Sequence, residues 1–483
     1  MGINIPWSLL KIELGLVALT LVLLVSDVFL PKEKRATAIA NSAMIGLVAL
    51  FSWLPFEWGH FGSGFSGTYV QDGLALCFKA LFLMAGFFTI FMAREYKDHL
   101  KRGQGEFVLL ILFGLIGMLF IASANDFLLF FVALETLSIS LYILTAYLRD
   151  NQSSIEAGVK YLVQGALSTA VFLFGLSFIY GATGSTSYTE IQLKLAWMTG
   201  IPVPFIFGMV LVIASLGFKI AAVPFQLWAP DIYEGSPTPV TAYLAIASKA
   251  AGFAALTRLL LTVFHPMKGH LAILLAVLSA LTILYGNLGA MSQTNIKRLM
   301  GYSSIGHAGY LLMGLAAFDH SGREALLYYL FSYLFSTGGV FLVLVAVSSD
   351  TRTDEISELA GLSKRSPILA AAMLISLMSL AGVPPLAGFF AKFYLLWASV
   401  RSGLLWLALI GVLNVITSLY YYLKIVKVIY VDDPVETHDH ASLRVSADQK
   451  AVQYFAMFGV IFLGIFQAPL VNIVREAFAF FLT

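Results

Sequence analysis

The sequence predicts an all-α polytopic membrane protein of about 14 transmembrane helices, with two inverted five-helix repeats that each contain a broken helix. Three observations carry this. Of 483 residues, 59% are hydrophobic and 12% charged, against about 25% charged in soluble domains. Apolar stretches of spanning length succeed one another from end to end. Two of them are interrupted by proline and carry a lysine as well, which a simple anchor would not need.

Taken in order, the stretches are 9–30, 38–54, 73–93, 107–122, 127–148, 157–180, 203–228, 240–264, 271–289, 300–318, 326–347, 368–400, 404–430 and 452–474. The first is too long for a signal-peptide core and meets no small-residue cleavage site before PKEKR, so it reads as a span. The whole chain 1–483 then forms one membrane domain. It comprises three N-terminal helices (1–100), a first five-helix repeat (105–265), a second (270–430) and a C-terminal helix (450–483). Connections on one side hold most of the basic residues, among them Arg35, Arg94, Lys97, Arg149, Arg298 and Arg365, whereas the other side holds only Lys194, Lys268, Arg323 and Arg401. The positive-inside rule places both termini outside. The connection PDIYEGSPTP is an exception, because it should lie inside and has no Lys or Arg.

The seventh stretch contains SLGFKIAAVPFQLW, with Lys219 near mid-span, about two turns of apolar helix on each side, and Pro224 five residues on. A central Lys costs at least about 2.5 kcal/mol on insertion. The Pro removes a helical hydrogen bond, and the freed carbonyl needs a partner inside the protein or in a wet cavity. A Lys that merely snorkels to the surface is the bland alternative, and the apolar helix on both sides disfavours it.

A related segment recurs from Ser379 as SLAGVPPLAGFFAKFYLLW, with Pro384, Pro385, Lys392 and Trp397. The offset of 173 residues between Lys219 and Lys392 carries Glu135 onto Ala308, beside His307, and Lys249 onto Tyr422, near Lys424. Spans four to eight thus recur as spans nine to thirteen. Five is odd, so the units are expected to be inverted.

Glu135, Lys219, Lys249 and Lys392 lie deep in spans, and His307 is a fifth ionisable group there. Such groups mark ion or proton routes. The structural alternatives are a carboxylate that only neutralises a Lys, a Lys that packs in the small-residue face AIASKAAGFAAL, and a buried, satisfied His. Lys79 and Arg258 lie nearer span ends and are expected to snorkel. A Glu–Lys pair at about 4 Å and an effective dielectric near 20 attracts by about 4 kcal/mol, and moving one charge across 150 mV costs roughly 3.5 kcal/mol. Opening a Glu135–Lys219 pair would therefore suffice, in magnitude, to drive a proton onward.

Other signals exclude more than they suggest. The lone Cys77 rules out an internal disulfide and an all-protein thiolate cluster. The net charge of +2 gives no sign of nucleic-acid binding. GHFGSGFSG, residues 59–67, lacks the Lys-Ser or Lys-Thr of a phosphate cradle and reads as a flexible outer loop. His438 and His440 read as a solvated loop rather than a metal site. No dinucleotide fingerprint, nucleophile elbow or hydrolase carboxylate pair is present, and no redox centre is expected in this chain.

Glu135, Lys219, Lys249 and Lys392, with the blocks WAPDIYEGSPTPV, NIKRLMGYSSIGHAGY and LAGVPPLAGFFAKFYL, resemble the antiporter-like membrane subunits of proton-translocating NADH-quinone oxidoreductase, respiratory complex I. That family is similar in turn to subunits of Mrp-type cation/proton antiporters. Within it, Lys392 on the broken twelfth helix looks like the N type, since the M type has Glu there, and the L type adds a long lateral helix after the fourteenth span, whereas this chain stops at Thr483.

The resemblance implies fourteen helices and one proton channel driven by quinone reduction elsewhere in the complex. It also implies FMN, iron–sulfur clusters and quinone on other subunits, and no cofactor in this chain. The implied partners are subunit M, small membrane subunits, the bilayer and protons, without nucleic acid, and the implied setting is a bacterial plasma membrane. On this reading Glu135 is the modulating partner, Lys219 the pump lysine, Lys249 the central relay and Lys392 the terminal exchange site, with His307 connecting the last two. A cation/proton antiporter, and a scaffold whose buried charges only fix packing, stay open as alternatives.

Overall fold

In hydrocarbon a helix satisfies its own backbone polar groups, so near-continuous apolar sequence folds as helix after helix. The computed structural model describes residues 7–100, 103–348, 353–433, 443 and 445–478. The bundle helices are α1 (Lys11–Phe29), α2 (Lys32–Glu57), α3 (Gly73–Glu95), α4 (Gln104–Ser123), α5 (Phe127–Thr145), α6 (Gln152–Thr183), α7 (Val203–Ile220), α8 (Trp228–Gly235) and α9 (Thr238–Leu261). They continue as α10 (Lys268–Met291), α11 (Ile296–Ala316), α12 (His320–Ser348), α13 (Pro367–Ala381), α14 (Ala387–Arg401), α15 (Leu405–Tyr430), α16 (Ala447–Ile465) and α17 (Ala468–Ala477).

Among the described residues, eleven helices are long and apolar enough to cross a membrane, or twelve if the bent pair α16–α17 counts as one span. The expected tenth and twelfth spans fall outside that measure. The polar helix α11 carries Lys297, Arg298 and His307, and the twelfth stretch is divided into α13 and α14. The fourteenth is not straight either, since α17 leaves α16 at 82°.

The repeat is visible in the packing. In the first unit α4 packs on α5, and α6 packs on both halves of a broken helix, α7 and α8; in the second, α10 packs on α11, and α12 on both α13 and α14. The units meet where α8 lies against α11. Close approach there is set by Gly301, whose substituent would meet the Pro230 backbone at 3.0 Å. Helices α9 and α12 are the most enclosed spans, whereas α1, α2, α6 and α15 keep about two thirds of their apolar length on the outside of the bundle.

The Gly-rich segment is an ordered hairpin, not a flexible loop. Its strands β1 (Gly62–Gly64) and β2 (Tyr69–Gln71) pair antiparallel, with Gly62 opposite Gln71. Lys79 and Arg258, expected to snorkel, are buried instead. Lys79 Nζ lies 2.7 Å from Glu13 Oε1 and donates to the Tyr69 hydroxyl at 3.0 Å, so α1, the hairpin and α3 share one polar knot. Arg258 donates from two nitrogens to the Asp72 carboxylate at 2.8 and 3.0 Å and to the Ala122 carbonyl at 2.8 Å. Snorkelling fails because hairpin and helix ends close over both side chains, and each finds its counter-charge within the protein. His438 and His440 lie outside the described residues.

Removing one partner of a fully buried ion pair typically costs about 3–5 kcal/mol, whereas replacing both by apolar side chains costs little. Lys79→Met should therefore lower the thermal midpoint of the purified protein sharply, and Glu13→Met with Lys79→Met should recover most of the loss. Scanning fluorimetry in detergent checks this, and additive losses would show that the pair is not coupled.

Candidate proton-transfer site

The first break forms because Pro224 cannot donate a helical hydrogen bond and restricts the residue before it. Helix α7 stops at Ile220, Ala221 turns left-handed at φ 57°, and the chain resumes as helix at Trp228. The carbonyls left at this end are used: Gly217 O accepts from Ala222 N at 2.8 Å, and Phe218 O from the Trp228 indole at 2.9 Å. Lys219 is therefore in the last turn of α7, not in mid-helix as expected. Its ammonium donates to Ser138 Oγ at 3.3 Å and lies 6.0 Å from the centre of the Tyr161 ring.

The second break has the same form with a different donor. Helix α13 ends at Ala381, Gly382 takes the left-handed φ of 90°, and α14 begins at Ala387. The two breaks coincide at an offset of 161 residues, Ala221 to Gly382 and Pro224 to Pro385, rather than 173. Lys219 thus precedes its break and Lys392 comes after its own, which corrects the equivalence drawn from sequence. Lys392 Nζ folds back to donate to Ala381 O at 3.0 Å, the last carbonyl of α13, and to Ser418 Oγ at 3.4 Å, so this ammonium sits at the negative end of a half-helix.

Lys249 comes directly after a π turn, Leu244–Ser248, inside α9. Such single turns are frequent at functional sites. Its ammonium donates to Ser304 O at 2.7 Å and Ser304 Oγ at 2.9 Å, tying α9 to α11. One turn further along α11, His307 bonds through Nδ1 to the Tyr329 hydroxyl and through Nε2 to the Tyr422 hydroxyl at 3.1 Å, while Tyr422 also bonds Ser303 Oγ. His307 and Lys392 line one small cavity with Tyr329, Ser332, Ser336 and Ser379. The structure thus places hydroxyl groups beside each of Lys249, His307 and Lys392, and the last two share a cavity.

Between Lys219 and Lys249 the spacing is bridged differently. The Lys219 stem packs over Gly252, three residues from Lys249 on α9, and the nearby hydroxyls of Tyr161, Ser248 and Tyr233 are buried without a well-formed hydrogen bond among the described residues, Tyr161 facing Ser248 and Tyr233 facing Ser304. Buried polar groups left in that state are ordinarily satisfied by water.

Glu135 does not make the expected contact. It is half-buried on α5 and accepts from Thr169 Oγ1 of α6 at 2.7 Å. No ion pair within 4.0 Å joins it to Lys219 among the described residues. The hydroxyl that Lys219 does contact, Ser138, lies one turn further along the same helix. Thr169 competes for the carboxylate, so Lys219 faces a neutral group instead.

The segment PDIYEGSPTP is also not a loop. Most of it forms α8 and the start of α9, and Trp228 of α8 stacks on Tyr161 with ring centres 5.0 Å apart. Its acidic residues take basic partners from neighbouring helices: Asp231 lies 3.2 Å from Lys160 and 2.7 Å from Arg298, and Glu234 lies 2.8 Å from Arg298. That explains the connection without Lys or Arg. The positive charge belongs to α6 and α11 and is delivered across the packing.

Tyr329, Tyr422, Ser303, Ser304 and Ser418 were not singled out from sequence. The clusters LLYYLFSYLF and LYYYLK held a signal for two of them, since hydroxyls are costly in a span unless they face the interior. Among the described residues no group of three His, Cys, Asp or Glu side chains could hold a metal ion.

Buried lysines and hydroxyls beside two broken helices mark a polytopic membrane protein with ionisable groups in its interior. Residues 124–418 match the family described as NADH:quinone oxidoreductase/Mrp antiporter, TM. The NADH-quinone oxidoreductase subunit N of Heliobacterium modesticaldum is 41% identical over 473 residues, covering 98% of each chain. A chain of respiratory complex I from Thermus thermophilus is 32% identical with a TM-score of 0.81, covering 95% of this chain and 98% of that one. A chain of the Mrp complex from Dietzia sp. shares the fold, with a TM-score of 0.83 at 20% identity, covering 97% of this chain and 96% of that one. This chain belongs to the NADH:quinone oxidoreductase/Mrp antiporter membrane family.

Arg298→Gln removes two part-exposed ion pairs, each worth up to about 1 kcal/mol. Amide exchange over residues 228–235 should rise by roughly tenfold or somewhat more, with little change in α13. Unchanged exchange in α8 would show that the ion pairs do not hold it.

Proposed function

We propose that this chain is the antiporter-like, proton-translocating membrane subunit of an NADH-quinone oxidoreductase, of the subunit N type, conveying protons along Glu135, Lys219, Lys249, His307 and Lys392. The observation that supports this most is the run of buried groups from Ser138 and Lys219, past Tyr161 and Ser248, to Lys249, Ser304, Tyr422, His307 and Lys392. The near full-length similarity to a subunit N and to a chain of respiratory complex I supports the assignment to that enzyme.

In this mechanism Glu135 sets the state of Lys219. In the present arrangement the carboxylate is held by Thr169 and the ammonium by Ser138. Drawing them to about 4 Å would add roughly 4 kcal/mol of attraction at an effective dielectric near 20. Separating them again withdraws that stabilisation from the protonated lysine, and the work, supplied by quinone reduction, is comparable to the roughly 3.5 kcal/mol needed to move a charge across 150 mV. The proton passes to Lys249 over the hydroxyls of Tyr161 and Ser248, and then through Tyr422 and His307 to Lys392, the exchange site. Quinone reduction elsewhere in the assembly drives the cycle, with FMN, iron–sulfur clusters and quinone on other subunits.

This chain works among other membrane subunits, and its neighbours on this reading are the M-type antiporter-like subunit and small membrane subunits. The location is a bacterial plasma membrane. The predominance of basic residues on one side supports termini that face outward.

In reconstituted complex, Lys219→Ala should abolish the pumping that passes through Lys219, read as a lower ratio of protons moved per electron pair. A parental ratio in a normally assembled complex would sink the assignment. Glu135→Gln should lower the same ratio in part, because the amide keeps the Thr169 hydrogen bond and loses the charge; a ratio equal to the parent's would remove Glu135 from the switch.

A further inference from the structure

The cavity shared by His307 and Lys392 continues into polar groups that the row of lysines does not use. Ser379 Oγ on its wall accepts from Ser336 Oγ at 2.8 Å and from Gly388 N at 3.1 Å. One turn from Ser379 along α13, Ser376 is 1% exposed, and its hydroxyl has no protein partner among the described residues. That hydroxyl lies against Gly339 of α12, where any side chain would fill its place. The Gly339 carbonyl in turn accepts from the Gln453 amide of α16 at 3.3 Å, and Gln453 is 2% exposed.

Gln453 then lines a second small cavity, with Gln449, Glu95, Phe91, Val345 and Leu369. Glu95 and Gln449 are half-buried at its mouth, at the ends of α3 and α16. This is the face that carries Arg94 and, on the charge bias, the inner one. Each cavity is about the size of a water molecule. Packing alone does not account for the arrangement, because alanine would let α12, α13 and α16 approach as closely as Ser376 does, without burying an orphan hydroxyl.

We propose that this line is a second proton-uptake route, leading from Glu95 and Gln449 at the inner face through the Gln453 cavity, Ser376 and Ser379 to the His307–Lys392 cavity. It rests on the proposed proton-translocating function. It feeds the second unit directly, without passage through Lys219 or Lys249. The carrier is the proton itself. At each step a hydroxyl or bound water accepts one proton and releases another, so no co-reactant is consumed. Gln453 is a positioning residue whose amide orients water at the narrowest point, between the Gly339 carbonyl and Ser376.

The test uses the whole complex in vesicles, reading protons moved per electron pair beside the rate of quinone reduction, with Lys392→Ala as reference. Gln453→Met keeps the length of the side chain and removes the amide. It should lower the proton ratio, though by less than Lys392→Ala because the route through Lys219 and Lys249 stays open, while Gln453→Glu, which still orients water, should restore it. A parental ratio in Gln453→Met beside a lowered one in Lys392→Ala overturns the route and leaves the function standing. A parental ratio in Lys392→Ala overturns the function and the route with it. A ratio lowered alike by Met and Glu marks a packing role and also overturns the route. Should Gln453→Met fail to assemble, Ser376→Ala removes one hydroxyl with little change in volume; it is expected to lower the ratio and Ser376→Thr to restore it, and a parental ratio in Ser376→Ala counts against the route.

Discussion

Breaking a helix inside hydrocarbon exposes carbonyls that no lipid can satisfy, and much of this molecule is arranged around that constraint. At the first break the orphan carbonyls are taken by a turning backbone and an indole; at the second, by a lysine that reaches back across the gap. The second solution leaves the Lys392 ammonium at the negative end of a half-helix, and Lys219 belongs to the last turn of the other. There the partial charge of the backbone offsets part of the cost of burying a cation. The breaks are what make buried lysines tolerable, and the lysines give the breaks a use.

Neutral groups surround these cations. Lys219, Lys249 and Lys392 all meet serine hydroxyls or carbonyls rather than carboxylates. The fixed ion pairs are placed elsewhere, at Glu13–Lys79, at Asp72–Arg258 and at the surface around α8. A lysine locked to a carboxylate would hold its proton through the cycle, whereas one on a hydroxyl exchanges it at lower cost. The paired charges thus belong to the architecture, and the three lysines stand apart from them.

Much of the fold could be read from sequence because its signals are lengths and interruptions. The spans and the two breaks are marked by apolar runs and prolines, whereas the spacing of the ionisable residues points to an offset of 173 where the breaks lie 161 apart. The precise stopping point of α7 was not marked, since a proline acts on the residues before it and the helix ended at Ile220 rather than at Trp228. PDIYEGSPTP looked like a loop because its counter-charges lie on Lys160 and Arg298, far away in sequence. The site residues Glu135, Lys219, Lys249, His307 and Lys392 could be picked out as costly groups in apolar surroundings. Their partners could not, because Thr169 or Tyr422 becomes informative only when packing sets it beside a charge.

The far half of each broken helix packs on a helix of its own unit, α6 or α12, and also touches one outside it: α8 meets α11 of the second unit, and α14 meets α16, where Gly464 lies against the Leu386–Ala387 backbone. The units therefore behave like modules of an array, each completed by its successor, and the last module needs an end piece. Helix α16 occupies that place. It packs on α12, α13 and α14 and so covers the side of the second unit that, in the first unit, α11 covers.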